Sequence, residues 1–261
     1  MKDRLYVSTS GGLVVLEDGG EPRLLTEADG LPGMTIRAMA AYGDKLYLAM
    51  GGALGGKDAF AVYDPAAREH RILFSNTAVG GLRRNLMLKA MVVDEERKCL
   101  WLGSEWAGIW RFDPATDKME KVAPVRFMLG PHGIHPMALC SVGLLYADAN
   151  NVSMLDLSDY KQTFLIGNQH SGPNGYKDVP LMGSPAGMLW PACFIGDDLI
   201  TGGGDLGSTV PPYAFIHRPG KEAALTRSLC AVRLFEPTPH GLLAMDCKGE
   251  GYLIRKLPEA K

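Results

Sequence analysis

Apolar residues in this chain come in short runs of four to seven, rich in Leu, Val, Tyr and Trp. Gly, Asp-Pro and Asp-Gly separate the runs. An amphipathic helix would need ten or more residues at a 3.6 period, so these are strand and turn signals. One run recurs, followed each time by small residues and a second apolar run. It reads RLYVSTSGGLVVLEDG from Arg4, KLYLAMGGALGGKDAFAVYDP from Lys45 and CLWLGSEWAGIWRFDP from Cys99. Looser copies begin at Leu144, Asp198 and Leu242. With Leu5, Leu46, Leu100, Leu145, Leu199 and Leu242 as the shared position, the repeat averages about 47 residues. Short strands at a period of about 40–50 residues are the mark of propeller blades.

Each copy divides into strands a to d. Strand b is the marker run. Strand a precedes it (IRAMAAYG, LKAMVVDE, MALCSVG, PACFIGD, AVRLFEP). Strand c follows it (LVVLED, FAVYDP, IWRFDP, VSMLDLS, YAFIHRP, YLIRKL), and strand d comes last (PRLLTE, HRILFS, MEKVAP, KQTFLIG, AALTR). The parse predicts 22 strands, in an all-β propeller of four-stranded antiparallel blades with about six repeats in a single domain, 1–261. Residues Leu82 to Glu96 also fit an amphipathic helix, but alignment of the copies makes their second half strand a. The first copy lacks strand a and the last lacks strand d. That fits a ring whose ends hold further strands, or a portion of a larger propeller. An open sheet edge would invite pairing with other chains, which favours a closed or capped ring.

Composition sharpens this picture. Glycine makes up 32 of 261 residues, about 12% against a typical ~7%. It costs helices and serves turns. No apolar run reaches the ~20 residues that span a bilayer, and MKDRLYVSTSGG carries no apolar leader core. The net charge of −2 gives no sign of a nucleic-acid partner. The cysteines, Cys99, Cys140, Cys193, Cys230 and Cys247, are odd in number and form no CxxC, against both a disulfide framework and a zinc ribbon. Cys140, Cys193 and Cys230 sit in apolar stretches, as small buried side chains do. A cytoplasmic setting fits, and so does a periplasmic or extracellular one if the chain serves a sensor.

Two stretches, TEADGLPGMTIRAMAAYGDKLYLAM and CLWLGSEWAGIWRFDP, resemble the two-component-regulator propeller repeat. The first match uses Asp29, Gly30, Leu31 and Pro32. The second uses Leu100, Trp101, Leu102, Gly103, Gly108, Ile109, Trp110, Phe112 and Asp113. The likeness is clear over residues 1–125 and rests on period alone beyond. Asp-Gly-Leu-Pro occurs once, and the strand-b Trp is Tyr or Ile in other copies. The resemblance implies a ligand-sensing propeller of the kind found in membrane sensors, which would require further domains in a full-length protein. Similar repeats also occur in enzymes.

Connection lengths point to one face. The a–b and c–d turns are short: YGDK, DEERK, DPAARE, DPATDKM. The long connections are 51–57 and 203–212 between b and c, and 75–86, 126–136 and 168–188 between d and a. In an antiparallel blade these emerge together, and long loops on a rigid scaffold are where binding concentrates. That face would carry Arg83, Arg84, Glu105, Trp106, His132, His135, His170, Asp178 and Asp205. Arg83 and Arg84 suit a carboxylate or phosphate, and Trp106 suits a sugar ring. His132 and His135, with His170 or a carboxylate, have the donor types for a divalent metal, although the spacing is equally that of ordinary loop histidines. Gly-x-Ser-x-Gly is absent, and neither glycine-rich loop continues into a phosphate-loop helix.

The expectation is a non-enzymatic sensing or interaction module with no cofactor, binding a small polar molecule, glycan or protein on the long-loop face. The alternative is a propeller lyase or hydrolase using loop histidines as base or metal ligands.

Overall fold

The computed structural model describes residues 4–9, 11–17, 19–52, 57–75, 87–104, 107–124, 134–140, 143–148, 151–167, 189–195, 198–203, 213–217, 224–227, 232–238, 241–246 and 251–254. They form 22 strands and one short 3-10 turn, with no α-helix among the described residues. The chain divides into two compact units, Met1–Ile134 and His135–Lys261.

The first unit holds three sheets. Blade one is β1 (Arg4–Thr9), β2 (Gly12–Glu17) and β3 (Arg23–Leu25). Blade two is β4 (Ile36–Tyr42), β5 (Lys45–Gly52), β6 (Lys57–Asp64) and β7 (Glu69–Ser75). Blade three is β8 (Leu88–Asp94), β9 (Cys99–Ser104), β10 (Gly108–Asp113) and β11 (Lys118–Ala123). The second unit repeats the plan. Blade four is β12 (Ile134–Cys140), β13 (Gly143–Asp148), β14 (Asn151–Leu155) and β15 (Gln162–Gly167). Blade five is β16 (Leu189–Ile195), β17 (Asp198–Gly203), β18 (Tyr213–His217) and β19 (Ala224–Arg227). Blade six is β20 (Val232–Thr238), β21 (Gly241–Asp246) and β22 (Gly251–Ile254).

Every pairing is antiparallel between chain neighbours. These are the blades the repeat predicts, and among the described residues blades one and six have three strands each. Leu88–Asp94, the stretch that also fitted a helix, is strand β8. First strands of successive blades lie side by side: β4 beside β8, and β16 beside β20. The fold is a β-propeller of antiparallel blades.

Blade two shows why its strands are apolar on both faces. Side chains alternate along a strand, so each face of a blade meets a different neighbour. On β5, Leu46, Leu48 and Met50 join Leu13, Val15 and Leu25 of blade one. Tyr47 and Ala49, on the other face, join Leu88, Leu100, Leu102, Trp110 and Phe112 of blade three. On β6, Ala59 and Tyr63 face the first seam, and Phe60 and Val62 the second. Phe60 and Phe112 meet edge to face at 5.0 Å, the favourable geometry for aromatic pairs.

The short turns share one construction. Asp64, Asp94 and Asp113 end their strands and Asp156 directly follows β14, and each carboxylate accepts backbone N–H from its own turn, such as Ala66 and Ala67 on Asp64 Oδ1 at 2.9 and 3.1 Å. Four residues on, the chain enters the left-handed region at Arg68, Lys98, Asp117 and Tyr160. None of these is glycine, so each turn retains some backbone strain.

The Asp-Gly-Leu-Pro segment follows a 3-10 turn at Glu27–Asp29 capped by Thr26. Gly30 sits at φ 83°, and a Cβ there would collide with the carbonyl of Arg68. Tyr63 Oη donates to the Asp29 carbonyl at 3.0 Å, and Leu31 is buried in the seam between blades one and two. The motif is therefore a fitted plug between two blades.

Candidate functional site

In each four-stranded blade of the first unit, the tight turns (Gly43–Asp44, 65–68, 95–98, 114–117) lie at one end and the b–c and d–a connections at the other. The strand ends that border 53–56, 76–86 and 105–106 lie at the latter end. Arg83, Arg84, Glu105, Trp106, His132, His170, Asp178 and Asp205 all lie outside the described residues. His135 is the second residue of strand β12.

What the structure does bring together at the long-connection end is Arg37, Gly51 and Asp58. They come from the start of β4, the end of β5 and the start of β6. The β4–β5 ladder shifts register between Ile36 and Ala38, which leaves Arg37 on a β-bulge. A bulge re-aims its side chain out of the pleat. The Arg37 guanidinium then donates from Nη1 to Asp58 Oδ1 at 2.7 Å, with the two side chains 25% and 13% exposed. It lies over Gly51: a Cβ on that glycine would collide with Nε, Cζ and Nη2 of Arg37. Gly51 is held in turn by its N–H on the Thr35 carbonyl at 2.9 Å. Glycine is required here for close approach, not for an unusual φ.

This triad sits on a definite side of the blade. Gly51 shares a face of β5 with Tyr47 and Ala49, and Asp58 shares a face of β6 with Phe60 and Val62. All four of those neighbours pack in the seam between blades two and three. Across that seam, Trp110 is only 6% exposed and its indole N–H has no hydrogen-bond partner among the described residues. A buried donor without a partner costs about 1–3 kcal/mol. The rim of this seam thus carries a fixed cation, and its wall carries an unused donor.

The bulge is not peculiar to blade two. The β8–β9 ladder shifts between Leu88 and Ala90, leaving Lys89 in the place of Arg37. The β16–β17 ladder shifts between Leu189 and Ala192, and the β20–β21 ladder between Val232 and Leu234, leaving Arg233. Aligned on these positions, the first strands open IRAM, LKAM, IHPM, LWPA and VRLF. His135, named as a candidate on other grounds, occupies the same position in IHPM. Arg37 and Lys89 escaped the loop-based reading because they lie inside strands. The recurring second residue of strand a was the available signal.

At the tight-turn end the polar groups serve structure. Arg71 of β7 makes two hydrogen bonds to Asp117 in the β10–β11 turn, at 2.7 and 3.1 Å. In blade three, Asp94 is 2% exposed and accepts from Trp101 Nε1 at 3.0 Å and from the Arg97 N–H at 2.9 Å. Burial is the largest single influence and pushes its carboxyl up. The Trp101 and Arg97 hydrogen bonds and the Arg97 charge together outweigh it and hold the pKa below the usual range. Burial likewise raises Tyr47 and Tyr63.

No family model matches the sequence, and no curated protein matches it. The structure itself is similar to several solved ones. The extracellular domain of a putative one-component system from B. thetaiotaomicron superposes with a TM-score of 0.66 at 13% identity. That likeness covers 93% of this chain but 30% of the other, so the chain spans about a third of that domain's length. BamB from Moraxella catarrhalis gives 0.57 at 14% identity, over 99% of this chain and 81% of the other. The β-propeller domain of Cps50 (Swd1) from Myceliophteria thermophila gives 0.58 at 12%, over 95% and 78%. At these identities the likeness is one of fold, and the propeller read from the repeat is the fold found. Among the described residues no helix is long and apolar enough to cross a membrane.

Proposed function

We propose that residues 1–261 form a single non-enzymatic propeller domain that senses or binds a small polar molecule, glycan or protein through its long-connection end. The observation that carries this reading is the asymmetry of the blades. One end is closed by short turns, most of them capped by an Asp side chain that accepts a backbone N–H of its own turn. The other end holds the strand ends that the long connections of blades two and three join, together with the bulged positions of Arg37 and Lys89. Rigid sheets presenting long connections on one side are a common platform for recognition. The fold neighbours include an extracellular domain of a putative one-component system, which supports a sensing role. On this reading Arg83, Arg84, Glu105, Trp106, His132, His135, His170, Asp178 and Asp205 contribute ligand contacts.

The test is a ligand screen followed by face-specific substitution. A library of small polar molecules and glycans is screened by thermal shift on the whole chain, and each hit is titrated by calorimetry. Arg84→Ala with His170→Ala should weaken binding at least tenfold. Ala66→Ser and Glu69→Gln, at the tight-turn end, should leave it unchanged. Equal sensitivity at both ends would overturn the proposal.

A further inference from the structure

Three features hold Arg37 in place at the seam between blades two and three. Its bulge turns it out of the ladder, Asp58 holds one of its N–H groups at 2.7 Å, and Gly51 clears the space in which the guanidinium lies. A guanidinium has five N–H donors in a fixed plane. Asp58 is the only described partner of Arg37, so most of the fork is left over, and a quarter of the side chain faces solvent. The same seam holds the indole N–H of Trp110, which has no partner among the described residues. Among the described residues, Arg37 therefore has donors to spare at this rim.

A surplus of fixed donors fits an oxyanion. A carboxylate, phosphate or sulfate offers paired oxygens that match the guanidinium fork. We infer that the end of this seam receives the oxyanion group of a small ligand on Arg37, with Asp58 as the positioning residue and Gly51 as the clearance. The inference rests on the long-connection end being the binding end, and it names the ligand class. Asp58 takes one N–H of the guanidinium, and a guanidinium has four more to offer.

The experiment uses the whole chain and three probes, inorganic phosphate, sulfate and citrate, titrated by calorimetry at constant ionic strength. Saturable binding of at least one probe is expected. Arg37→Ala and Gly51→Ala should each weaken it at least tenfold, the fold-change that corresponds to losing a hydrogen bond between charged groups. Arg37→Lys should also weaken it, because an ammonium lacks the fork. Arg71→Ala, which removes an ion-paired arginine at the other end, should leave binding within twofold. The double variant Arg37→Met, Asp58→Asn removes both charges at similar volume. It guards against misfolding, and must match the parent in melting temperature while losing the probe. No saturable binding, or binding kept within twofold in both Arg37→Ala and Gly51→Ala, overturns the inference. A neutral ligand that depends on Arg84 and His170 but not on Arg37 would likewise remove it, while leaving the sensing propeller intact.

Discussion

Trp101 Nε1 donates to Asp94 Oδ2 across 3.0 Å inside blade three, joining the end of β8 to the strand beside it. Trp101 is fully buried and Asp94 nearly so. The pair is the chemical reason for a Trp in this copy of strand b. The indole fills the core and its one donor answers the carboxylate that caps the 95–98 turn.

Its consequence is a pH-dependent stability. The folded-state pKa of Asp94 is lowered, so its contribution is complete above the unfolded value of about 3.9. It is lost as pH falls through the lower folded value. Trp101→Phe should cost at least ~1.5 kcal/mol at pH 7, the scale of a hydrogen bond to a charged group plus lost packing. Urea unfolding at pH 7 and pH 3 checks this. The deficit should shrink at pH 3, and an equal deficit at both would mean that the carboxylate charge is not involved.

Gly30→Ala should destabilise by roughly 2–4 kcal/mol, because it combines a left-handed backbone with a clash against the Arg68 carbonyl. Tyr63→Phe, which removes only the hydrogen bond to the Asp29 carbonyl, should cost about 1 kcal/mol. Both are read from denaturant midpoints. If the two variants cost the same, the Asp-Gly-Leu-Pro plug is not held by its shape.

The turn strain can be released. Lys98 is exposed and lies at φ 51°, so Lys98→Gly should raise stability by about 0.5 kcal/mol after the entropy cost of glycine. Asp117→Gly relieves the same strain but forfeits the Arg71 pair, and should gain less. Thermal melts of the two variants decide the order.

Arg71 and Asp117 link blades two and three at the surface, with side chains 60% and 41% exposed. Exposed pairs are worth about 0.2–1 kcal/mol. Arg71→Ala should therefore cost under ~1 kcal/mol, and the difference should diminish in 0.5 M salt. A salt-independent loss would point to packing of the Arg71 stem instead.

Much of the architecture is legible without coordinates. The copies starting at Arg4, Lys45 and Cys99 predicted strands that the structure places in the same order, because a blade is local. Each strand pairs with its chain neighbour through a turn of a few residues, and Asp or Gly at a turn declares itself in sequence. The double-sided apolar character of β5 and β6 also follows from one repeat meeting the next on both faces.

The loop candidates from Arg83 to Asp205 came from connection length alone, which identifies an end of the blades but not a contact. The role of Arg37 is illegible in the sequence for a physical reason. As a charged residue within a strand it reads as a solvated side chain, and only the register slip after Ile36 turns it toward Asp58.

By itself the sequence determined the repeat, the strand order and the end at which long connections gather, since all three depend on residues within about 50 positions of one another. Tertiary structure alone decided that Gly51 is small to make room for Arg37, that Asp58 meets that guanidinium across 21 residues, and that Trp110 keeps an unused donor in the seam. Those relationships depend on how neighbouring strands and blades are offset. A one-residue change in register would abolish each of them while leaving the hydrophobic pattern recognisable.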